Sequence, residues 1–448
     1  MSSPGSRAGR AAVSIALVAA ALCLAACSRG PEQGAAAAPA HAAGGVASSA
    51  PPNASPNASA AAALVAPSRK DLAEIGRLAF FDPSLSASGR MSCATCHSPE
   101  HAYGPPNSLA VQLGGAGMQD AGTRAVPSLR YLRRTPIWSH SYIGNARERM
   151  TETDHVPVGG FGWDGRFDSM AAQAAFPLLA PNEMANADAA AVARRLSASA
   201  YAARFREVFG ADILSRPDAA LAALGQALQR FQLDDPSFQP YDSKFDLYLD
   251  GKAELSAQEA RGLKLFKDRD GGNCAACHLI EPGANGAHPL LTDFSFEALG
   301  VPRNPEIPAN ADPRYYDLGL CGPVRTDKGA EKKYCGLFKT PTLRNVATRG
   351  AFFHNGRFHS LEEALRFYVT RDAEPQKWYA HPGGAQQFDD LPAELQDNVD
   401  HIDPPLTQAK GDKPVWSEAE IRDAAAFLKT LDDGYVPAAS RRPRSLTP

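Results

Sequence analysis

Three features are scarce in this 448-residue sequence, and each scarcity excludes a class of protein. Charge of one sign is not in excess, since 46 Lys and Arg residues face 49 Asp and Glu residues, which argues against a nucleic-acid partner. The longest apolar run, residues 11–24, is too short for a transmembrane helix. No segment alternates apolar and polar residues long enough to predict a sheet. What remains is a globular, mainly helical chain long enough for two domains.

The N-terminus is typical of an export signal. Two arginines precede the apolar run 11–24, which ends in the tetrapeptide Leu-Ala-Ala-Cys27 and resembles a bacterial lipobox. Cleavage before Cys27 would leave that residue lipidated and the protein anchored to a membrane in the periplasm. Ser28 favours the outer membrane. The alternative is an ordinary secretory signal cleaved near Ala26.

Composition and repetition divide the remaining chain. Residues 28–66 are almost entirely Ala, Pro, Ser, Gly and Asn and predict a disordered tether. Two similar helical segments, Glu74–Phe81 and Glu259–Phe266, then each lead into a cysteine motif, which predicts two copies of one unit. The predicted divisions are a signal at 1–27, the tether at 28–66, a first domain at 67–240, a second at 241–434 and a tail at 435–448.

Capping signals and apolar spacing predict where the main helices begin. Ser256 with Glu259 and Ser417 with Glu420 form capping boxes at two helix starts. Helical periodicity also covers 188–208 and 218–231. The expected fold is mainly α, with two haem-binding domains of the cytochrome c type packed against each other and meeting near residues 235–253.

The chain carries C-x-x-C-H twice, a motif in which two thiols bond to haem and the next imidazole binds iron. In a chain of this composition, the expected number of chance matches to the motif is roughly 0.004, so two matches are strong evidence. A thioredoxin-like dithiol would not need both histidines, and zinc would need further cysteine or histidine ligands. The predicted haem c ligands are Cys93, Cys96 and His97 for the first haem, and Cys274, Cys277 and His278 for the second.

Two cysteines, Cys321 and Cys335, are left over once the signal, the lipobox and the haem motifs are assigned. In an oxidising compartment they predict a disulfide that closes a 15-residue loop, in preference to a catalytic thiol.

Further stretches accompany the two haem motifs. After the first come Trp163-Asp-Gly-Arg166, Gln173, Pro177 and Pro181–Met184, and after the second come Phe338–Val346 and Phe353–Gly356. Together with the two C-x-x-C-H motifs, they resemble the diheme bacterial cytochrome c peroxidase family, to which MauG also belongs. The resemblance covers about residues 70–434.

The resemblance implies that the first haem, on His97, is the peroxidatic one and that the second, on His278, transfers electrons. Glu183 matches the family's distal acid. Heterolytic cleavage of peroxide needs such a group, because a proton must leave the near oxygen and reach the departing one.

Three more residues match family positions. Gln173 is implied to orient peroxide or water, Pro177 to pack over the same pocket, and Trp163 to relay electrons or holes between the haems. Each has a plainer interpretation alone, such as a surface amide for Gln173 or a core aromatic for Trp163. Their joint spacing favours the functional one.

The sequence departs from ordinary family peroxidases at the first haem. Those enzymes place a capping histidine shortly before a stretch that corresponds here to Arg124–Ser128, yet the loop Gly114–Thr123 contains no histidine. An open first iron is therefore expected. The remaining candidate caps are Met118, for which packing is the simpler interpretation, and the similarly weak candidates His101 and His140.

A second departure concerns the helix that Ser360 and Glu363 cap. Family peroxidases have a methionine ligand seven residues after a leucine that corresponds to Leu361, and that count ends at Tyr368, as in MauG. The resemblance therefore implies His278 and Tyr368 as the two ligands of the second iron. A phenolate stabilises ferric iron, whereas a thioether favours ferrous iron.

The resemblance also implies a calcium ion between the domains, held by an asparagine side chain and backbone carbonyls. The asparagine position corresponds to Ala125, while the carbonyls of Arg349 and Ala351 remain. Because backbone oxygen does not depend on side-chain identity, one calcium ion at a weakened site is expected.

The predicted function is a diheme c-type cytochrome peroxidase that reduces hydrogen peroxide to water. Its electrons would come from an external donor such as a cytochrome c, and the haems would share a high-valent state. The alternatives are a MauG-type enzyme that oxidises tryptophan or tyrosine residues of a partner protein, and a non-catalytic electron-transfer cytochrome. Trp378 and Tyr379 are candidates for passing holes to a partner, although a buried structural role is the simpler interpretation.

Overall fold

The computed structural model describes residues 66–140, 157–379 and 386–437. Cys27, nearly all of the predicted tether and most of the predicted tail lie outside these ranges. The described chain is mainly helical. Its helices are α1 (Arg69–Phe80), α2 (Cys93–Cys96), α3 (Met170–Leu179), α4 (Ala189–Ala198), α5 (Ala202–Phe209), α6 (Pro217–Asp234), α7 (Lys244–Leu249), α8 (Ala257–Lys267), α9 (Leu361–Thr370) and α10 (Glu418–Lys429).

Side-chain caps define the helix starts that the sequence predicts. The Ser256 hydroxyl accepts a hydrogen bond from the Glu259 amide while Glu259 reaches back to the Ser256 amide, and Ser417 and Glu420 repeat this box. At α9, the Ser360 hydroxyl accepts a bond from the Glu363 amide. Each cap satisfies amides that have no partner inside the helix.

Extended structure in the described chain is limited to two short antiparallel pairs. Strand β1 (Leu113–Gly114) pairs with β2 (Asp120–Ala121), with Leu113 opposite Ala121. Strand β3 (Phe296–Glu297) pairs with β4 (Phe338–Lys339), with Phe296 opposite Lys339. The first pair shapes the loop where the capping histidine is missing, and the second lies near Trp163.

Two large hydrophobic cores lie in succession along the chain. One contains residues between Ile75 and Phe238, and the other contains residues between Phe245 and Leu431. They divide within the range 235–253 that the sequence predicts as a boundary. We call the corresponding parts of the chain the first half and the second half.

Both halves repeat one packing device. Gly76 of α1 faces α6 so closely that an added Cβ would lie 2.0 Å from the Ala227 carbonyl oxygen. Gly262 of α8 faces α10 in the same way, at 2.0 Å from the Asp423 carbonyl oxygen. Glycine therefore lets each helix that leads into a cysteine motif cross its partner at backbone contact. The shared crossing supports the prediction of two copies of one unit.

The single helix predicted over 188–208 is wrong in one respect, because the structure divides it into α4 and α5. Ser199 has extended backbone angles, and its amide and hydroxyl both donate to the Leu196 carbonyl. A serine that binds nearby backbone in this way competes with helix continuation. The helix predicted over 218–231 is present and slightly longer, as α6.

Among the described residues, none of the helices has the length and apolarity that a bilayer crossing requires.

Candidate functional site

The first cysteine motif begins at a helix start. Ser92 and Thr95 form a capping box over α2, which places Cys93 and Cys96 on one short turn as free thiols. The His97 Nδ1 atom lies 3.0 Å from the Tyr103 carbonyl oxygen. Because a carbonyl only accepts, Nδ1 carries the proton, and Nε2 keeps a lone pair for a metal.

The second motif repeats this arrangement without an α-helical turn. Cys274 and Cys277 are free thiols, and His278 Nδ1 lies 3.0 Å from the Leu291 carbonyl oxygen. Burial lowers the pKa of His278, and burial lowers that of His97 to about 4, so both imidazoles are neutral at pH 7. Neutral, oriented imidazole is the form that binds haem iron.

A large, mainly apolar cavity adjoins the second motif. Cys274, Cys277 and His278 line it together with Tyr368 and Trp163. Unoxidised C-x-x-C pairs beside oriented imidazoles and an apolar cavity are the features that a haem-binding site requires. The residues present therefore fit haem at the second motif, and the first motif offers the same free thiol pair and oriented imidazole.

Tyr368 lies on α9 and lines the same cavity as His278. Its ring packs against Phe353, with ring centroids 5.5 Å apart. Burial raises the pKa of its phenol, and the nearby thiols of Cys274 and Cys277 raise it further. The phenol is therefore close to the second attachment site, where the sequence predicts an iron ligand.

Glu183 lies close to the first attachment site. Burial raises the pKa of its carboxyl to about 7, while Arg166 opposes part of that shift. Burial raises the pKa of the Cys93 and Cys96 thiols, and the nearby Glu183 charge raises both further. A carboxyl with a pKa near neutral can both take and release a proton at pH 7.

Backbone contacts hold the Glu183 loop in place. The Glu183 carbonyl accepts a hydrogen bond of 2.8 Å from the Gly115 amide, and the Met184 amide donates to the Pro177 carbonyl within α3. An added Cβ on Gly114 would lie 2.3 Å from the Asn182 carbonyl oxygen. The loop without a histidine therefore packs directly against the acid.

Trp163 connects the two halves. Its Nε1 donates to the Ala125 carbonyl oxygen at 2.7 Å, and its own carbonyl accepts a hydrogen bond of 2.8 Å from the Lys339 amide. Gln173, on α3, lines the same cavity as the indole. The structure thus brings Trp163, Gln173, His278 and Tyr368 around one cavity, with Glu183 near the first motif.

The candidate caps occupy other positions. Met118 packs on the first core, and its sulfur accepts a hydrogen bond from the Ser88 hydroxyl. His101 contacts the Ser98 hydroxyl on the loop that follows His97. His140 contacts the Tyr334 hydroxyl and Lys328 in the second half. None of these contacts involves Glu183.

Sequence reasoning missed an ion-pair network beside Trp163. Arg124 binds Asp317 through two nitrogens and Asp164 through a third, and Arg166 also pairs with Asp164. Asp164 is fully buried. Asp164 and Arg166 belong to the Trp-Asp-Gly-Arg run, so this run was the sequence feature that could have indicated the network.

The remaining predicted residues are also placed. Cys321 and Cys335 form a disulfide in the second half, as the sequence predicts. Tyr379 is fully buried and donates to the Gly300 carbonyl, and Trp378 packs against the second core. These contacts support the structural interpretation of both aromatics.

The two cores, each with an oriented histidine after a free C-x-x-C pair, define a two-haem oxidoreductase of the peroxidase type. The chain belongs to the di-haem cytochrome c peroxidase family, whose profile, described as "Di-haem cytochrome c peroxidase", matches residues 70–254.

Characterised relatives fall on both branches of that family. The chain is 34% identical to the methylamine utilization protein MauG of Paracoccus denitrificans over 309 residues, which are 67% of this chain and 75% of that protein. It is 30% identical to the cytochrome c551 peroxidase of Nitrosomonas europaea over 306 residues, which are 67% of this chain and 73% of that protein.

A solved structure matches most of the fold. The diheme peroxidase BthA from Burkholderia thailandensis aligns with a TM-score of 0.73 at 37% identity, covering 81% of this chain and 86% of that one. A tyrosine-to-methionine variant of BthA aligns with a TM-score of 0.74, also at 37% identity, covering 82% and 87%.

Proposed function

We propose that the protein reduces hydrogen peroxide to water with electrons from a small redox protein such as a cytochrome c. The observation that carries this proposal is Glu183, a partly buried carboxyl beside the first cysteine motif whose pKa desolvation raises to about 7. A cytochrome that only transferred electrons would have no need of such a group.

The reaction consumes one peroxide, two electrons and two protons and yields two water molecules. Haem supplies the iron that binds peroxide and accepts the oxidising equivalents. Glu183 takes the proton from the oxygen that remains and delivers it to the oxygen that departs, and its pKa suits both steps. Gln173 orients the peroxide, and Pro177 shapes the pocket.

We further propose that Trp163 carries electrons between the two sites and that Tyr368, together with His278, would hold the iron of the second haem. Trp163 contacts both halves through its indole and its backbone. Tyr368 lines the cavity that His278 lines. A hard anionic phenolate suits a haem that holds oxidising equivalents better than one that stores an electron.

A second candidate is oxidation of tryptophan or tyrosine residues in a partner protein. Tyr368 favours it, because by resemblance MauG carries tyrosine at this place, and the MauG of Paracoccus denitrificans is 34% identical to this chain. Both candidate reactions begin with the same proton transfer at Glu183. They differ in the electron donor, which is a small redox protein in the first and the oxidised residue of a partner protein in the second.

The test is steady-state peroxide consumption by the two-haem protein with a reduced small c-type cytochrome, in the parent and in Glu183→Gln. Loss of the acid should lower turnover by roughly 10²- to 10⁴-fold. Glu394→Gln, at an exposed position, is the matched control and should keep full turnover. If the parent consumes peroxide only when an oxidisable protein is supplied, the second candidate is correct. If neither protein consumes peroxide with any donor, both candidates fail.

We also propose that the protein is exported and held on a membrane through Cys27. The lipobox-like tetrapeptide at this cysteine supports the proposal. Cys27→Ala should move the protein from the membrane fraction to the soluble periplasmic fraction. A membrane-bound variant would contradict the proposal.

A further inference from the structure

The segment Ala125–Pro127 is the point where the two halves meet beside Trp163. The Ala125 amide donates to the His354 carbonyl at 2.7 Å, and the Ala125 carbonyl accepts the Trp163 indole proton. The Val126 carbonyl accepts a hydrogen bond of 3.0 Å from Arg349 Nη1. Arg349 and His354 belong to the second half, so three consecutive backbone groups join the halves to the indole.

Arg349 binds backbone oxygens of both halves at once. Besides Val126, its Nε donates to the Ala351 carbonyl at 3.2 Å. No carboxylate of the described chain compensates its charge, and burial alone lowers its pKa to about 10. The guanidinium is therefore still a cation at pH 7. Its Nη1 and Nε donate to carbonyl oxygens, whereas Nη2 is buried without a hydrogen-bond partner in the described chain, and Arg349 lines the cavity that His278 and Tyr368 also line.

Other buried arginines of the chain are paired differently. Arg124 binds the carboxylates of Asp317 and Asp164, and Arg344 binds both oxygens of Asp246. A cation held by carbonyls alone resembles a bound metal ion more than a salt bridge.

The calcium ion that the family resemblance implies does not fit this place. Ala125 offers a methyl group in place of an asparagine oxygen, and its carbonyl already accepts the Trp163 proton. The Ala351 carbonyl already accepts from Arg349. Calcium takes six to eight oxygen ligands, and alanine at position 125 removes the side-chain oxygen that the resemblance implies. A fixed positive charge would also repel a divalent cation.

We propose that the Arg349 guanidinium replaces calcium as the cation that joins the two haem-binding halves, so that the protein needs no calcium. Arg349 is a positioning residue: it fixes Val126 next to Ala125, which in turn holds Trp163. Unlike a bound metal, a covalently attached cation is not lost to chelators or to low calcium concentrations.

The same charge acts on the first iron ligand. Arg349 binds the Val126 carbonyl, and the backbone of the next residue, Pro127, contacts the His97 imidazole. A nearby buried positive charge also disfavours the oxidised, more positive form of a haem iron. Arg349 should therefore raise the reduction potential of the first haem, which a purely structural residue would not do.

The first experiment uses the resting two-haem protein without peroxide, so its outcome is independent of the proposed function. The parent should keep its melting temperature and its haem spectrum after treatment with excess EDTA and after addition of calcium chloride. A parent whose melting temperature falls with EDTA and recovers with calcium would overturn the proposal.

Variants of Arg349 test its role directly. Arg349→Ala should lower the melting temperature by about 3–6 °C, because two carbonyls lose their partner, and should lower the midpoint potential of the first haem. Arg349→Lys should restore most of the midpoint potential of the first haem but less of the melting temperature. Lysine keeps the positive charge but lacks the planar guanidinium that donates to two carbonyls at once. A normal first-haem midpoint in Arg349→Ala would contradict the proposal.

The matched control is Arg325→Ala. Arg325 also joins the halves, by donating to the Asp164 carbonyl at 2.8 Å, but Asp327 pairs with it. Its removal should destabilise the protein without moving the first-haem midpoint. An equal potential shift in both variants would mean that loosening the halves, rather than the Arg349 charge, sets the potential, and would overturn the proposal.

A double variant tests the exchange of one cation for the other. Ala125→Asn combined with Arg349→Ala supplies a side-chain oxygen and frees the Val126 and Ala351 carbonyls. Calcium chloride should then raise its melting temperature by several degrees while leaving that of the parent unchanged. A double variant that folds and is indifferent to calcium would show that no cation site exists there.

Discussion

The two haem-binding halves share a local design and differ in what surrounds it. In each, a helix crosses its partner through a glycine, Gly76 or Gly262, and then leads to the cysteine motif. In each, the histidine Nδ1 lies 3.0 Å from a backbone carbonyl. These shared contacts suit haem binding and orient one imidazole in each half, but they assign no chemical role.

The charged neighbours of the two histidines have opposite signs. His97 lies near the Arg349 cation, whereas Asp293 acts on His278 and raises its pKa against the effect of burial. The halves also differ in a second neighbour of each motif, because Glu183 lies near the first motif and Tyr368 near the second. All four residues lie outside the repeated unit. A duplicated binding unit can therefore acquire two functions through loops and helices that come from elsewhere in the chain.

Of the substitutions considered, Tyr368→Met should change the difference in reduction potential between the two haems the most. A thioether ligand favours ferrous iron, so the potential of the second haem should rise by roughly 0.2–0.4 V within the span of about 0.8 V that axial ligands cover. A spectroelectrochemical titration resolves the two midpoints, and the first should stay in place. Tyr248→Phe, at a partly exposed tyrosine, is the control. An unchanged second midpoint would mean that Tyr368 does not bind iron.

A disulfide joins Cys321 to Cys335 in the second half. Replacing both cysteines by serine should lower the free energy of unfolding by up to ~3 kcal/mol, since the crosslink restricts the unfolded chain. Urea unfolding, followed separately by the absorption of each haem, measures the loss. Reductant should affect the parent and leave the variant unchanged. Equal stability of variant and parent would show that the disulfide contributes nothing.

The pH dependence of the peroxide reaction separates the acid from the histidines. Glu183 must be deprotonated to accept the first proton, so the rate should rise about tenfold per pH unit at low pH and level off above pH about 7. Titration of His97 cannot account for this rise in rate, because the pKa of its imidazole is about 4. Stopped-flow mixing of ferric protein with peroxide gives the profile. In Glu183→Gln the limb near pH 7 should disappear, and its persistence would exclude Glu183 as the base.

The smallest expected effect is that of Asp293→Asn. Removal of a carboxylate near His278 should raise the potential of the second haem by roughly tens of millivolts, because the oxidised iron loses a favourable charge. Asp270→Asn, at an exposed position shortly before the second motif, is the control. A fall in the second midpoint, or an equal shift in the control, would remove the basis for the charge contrast between the halves.

The local parts of this arrangement could be predicted from the sequence, because each depends on neighbouring residues. The capping serine and the apolar spacing were sufficient to place Tyr368 on a helix whose side chains reach the cavity beside the second motif. The break at Ser199 was not predictable, because helical propensity is a weak prior and one serine hydroxyl decides it.

Long-range contacts could not be predicted. Arg349 binds a carbonyl 223 residues away, and in the sequence it is one arginine among many. Its position depends on how two separately formed cores meet, which a single sequence does not encode in any local pattern. The resemblance suggested a weakened calcium site here because Ala125 replaces the asparagine, and the contacts of the guanidinium add an argument that the sequence could not supply.

The position of Trp163 also bears on how the protein matures. Its ring is fixed by Ala125 in the first half, while its backbone is fixed by Lys339 in the second. With only the first half folded, Trp163 would lack its backbone contact to Lys339. The indole is therefore fully anchored only when both halves are folded, so the electron path proposed for Trp163 depends on the assembled protein.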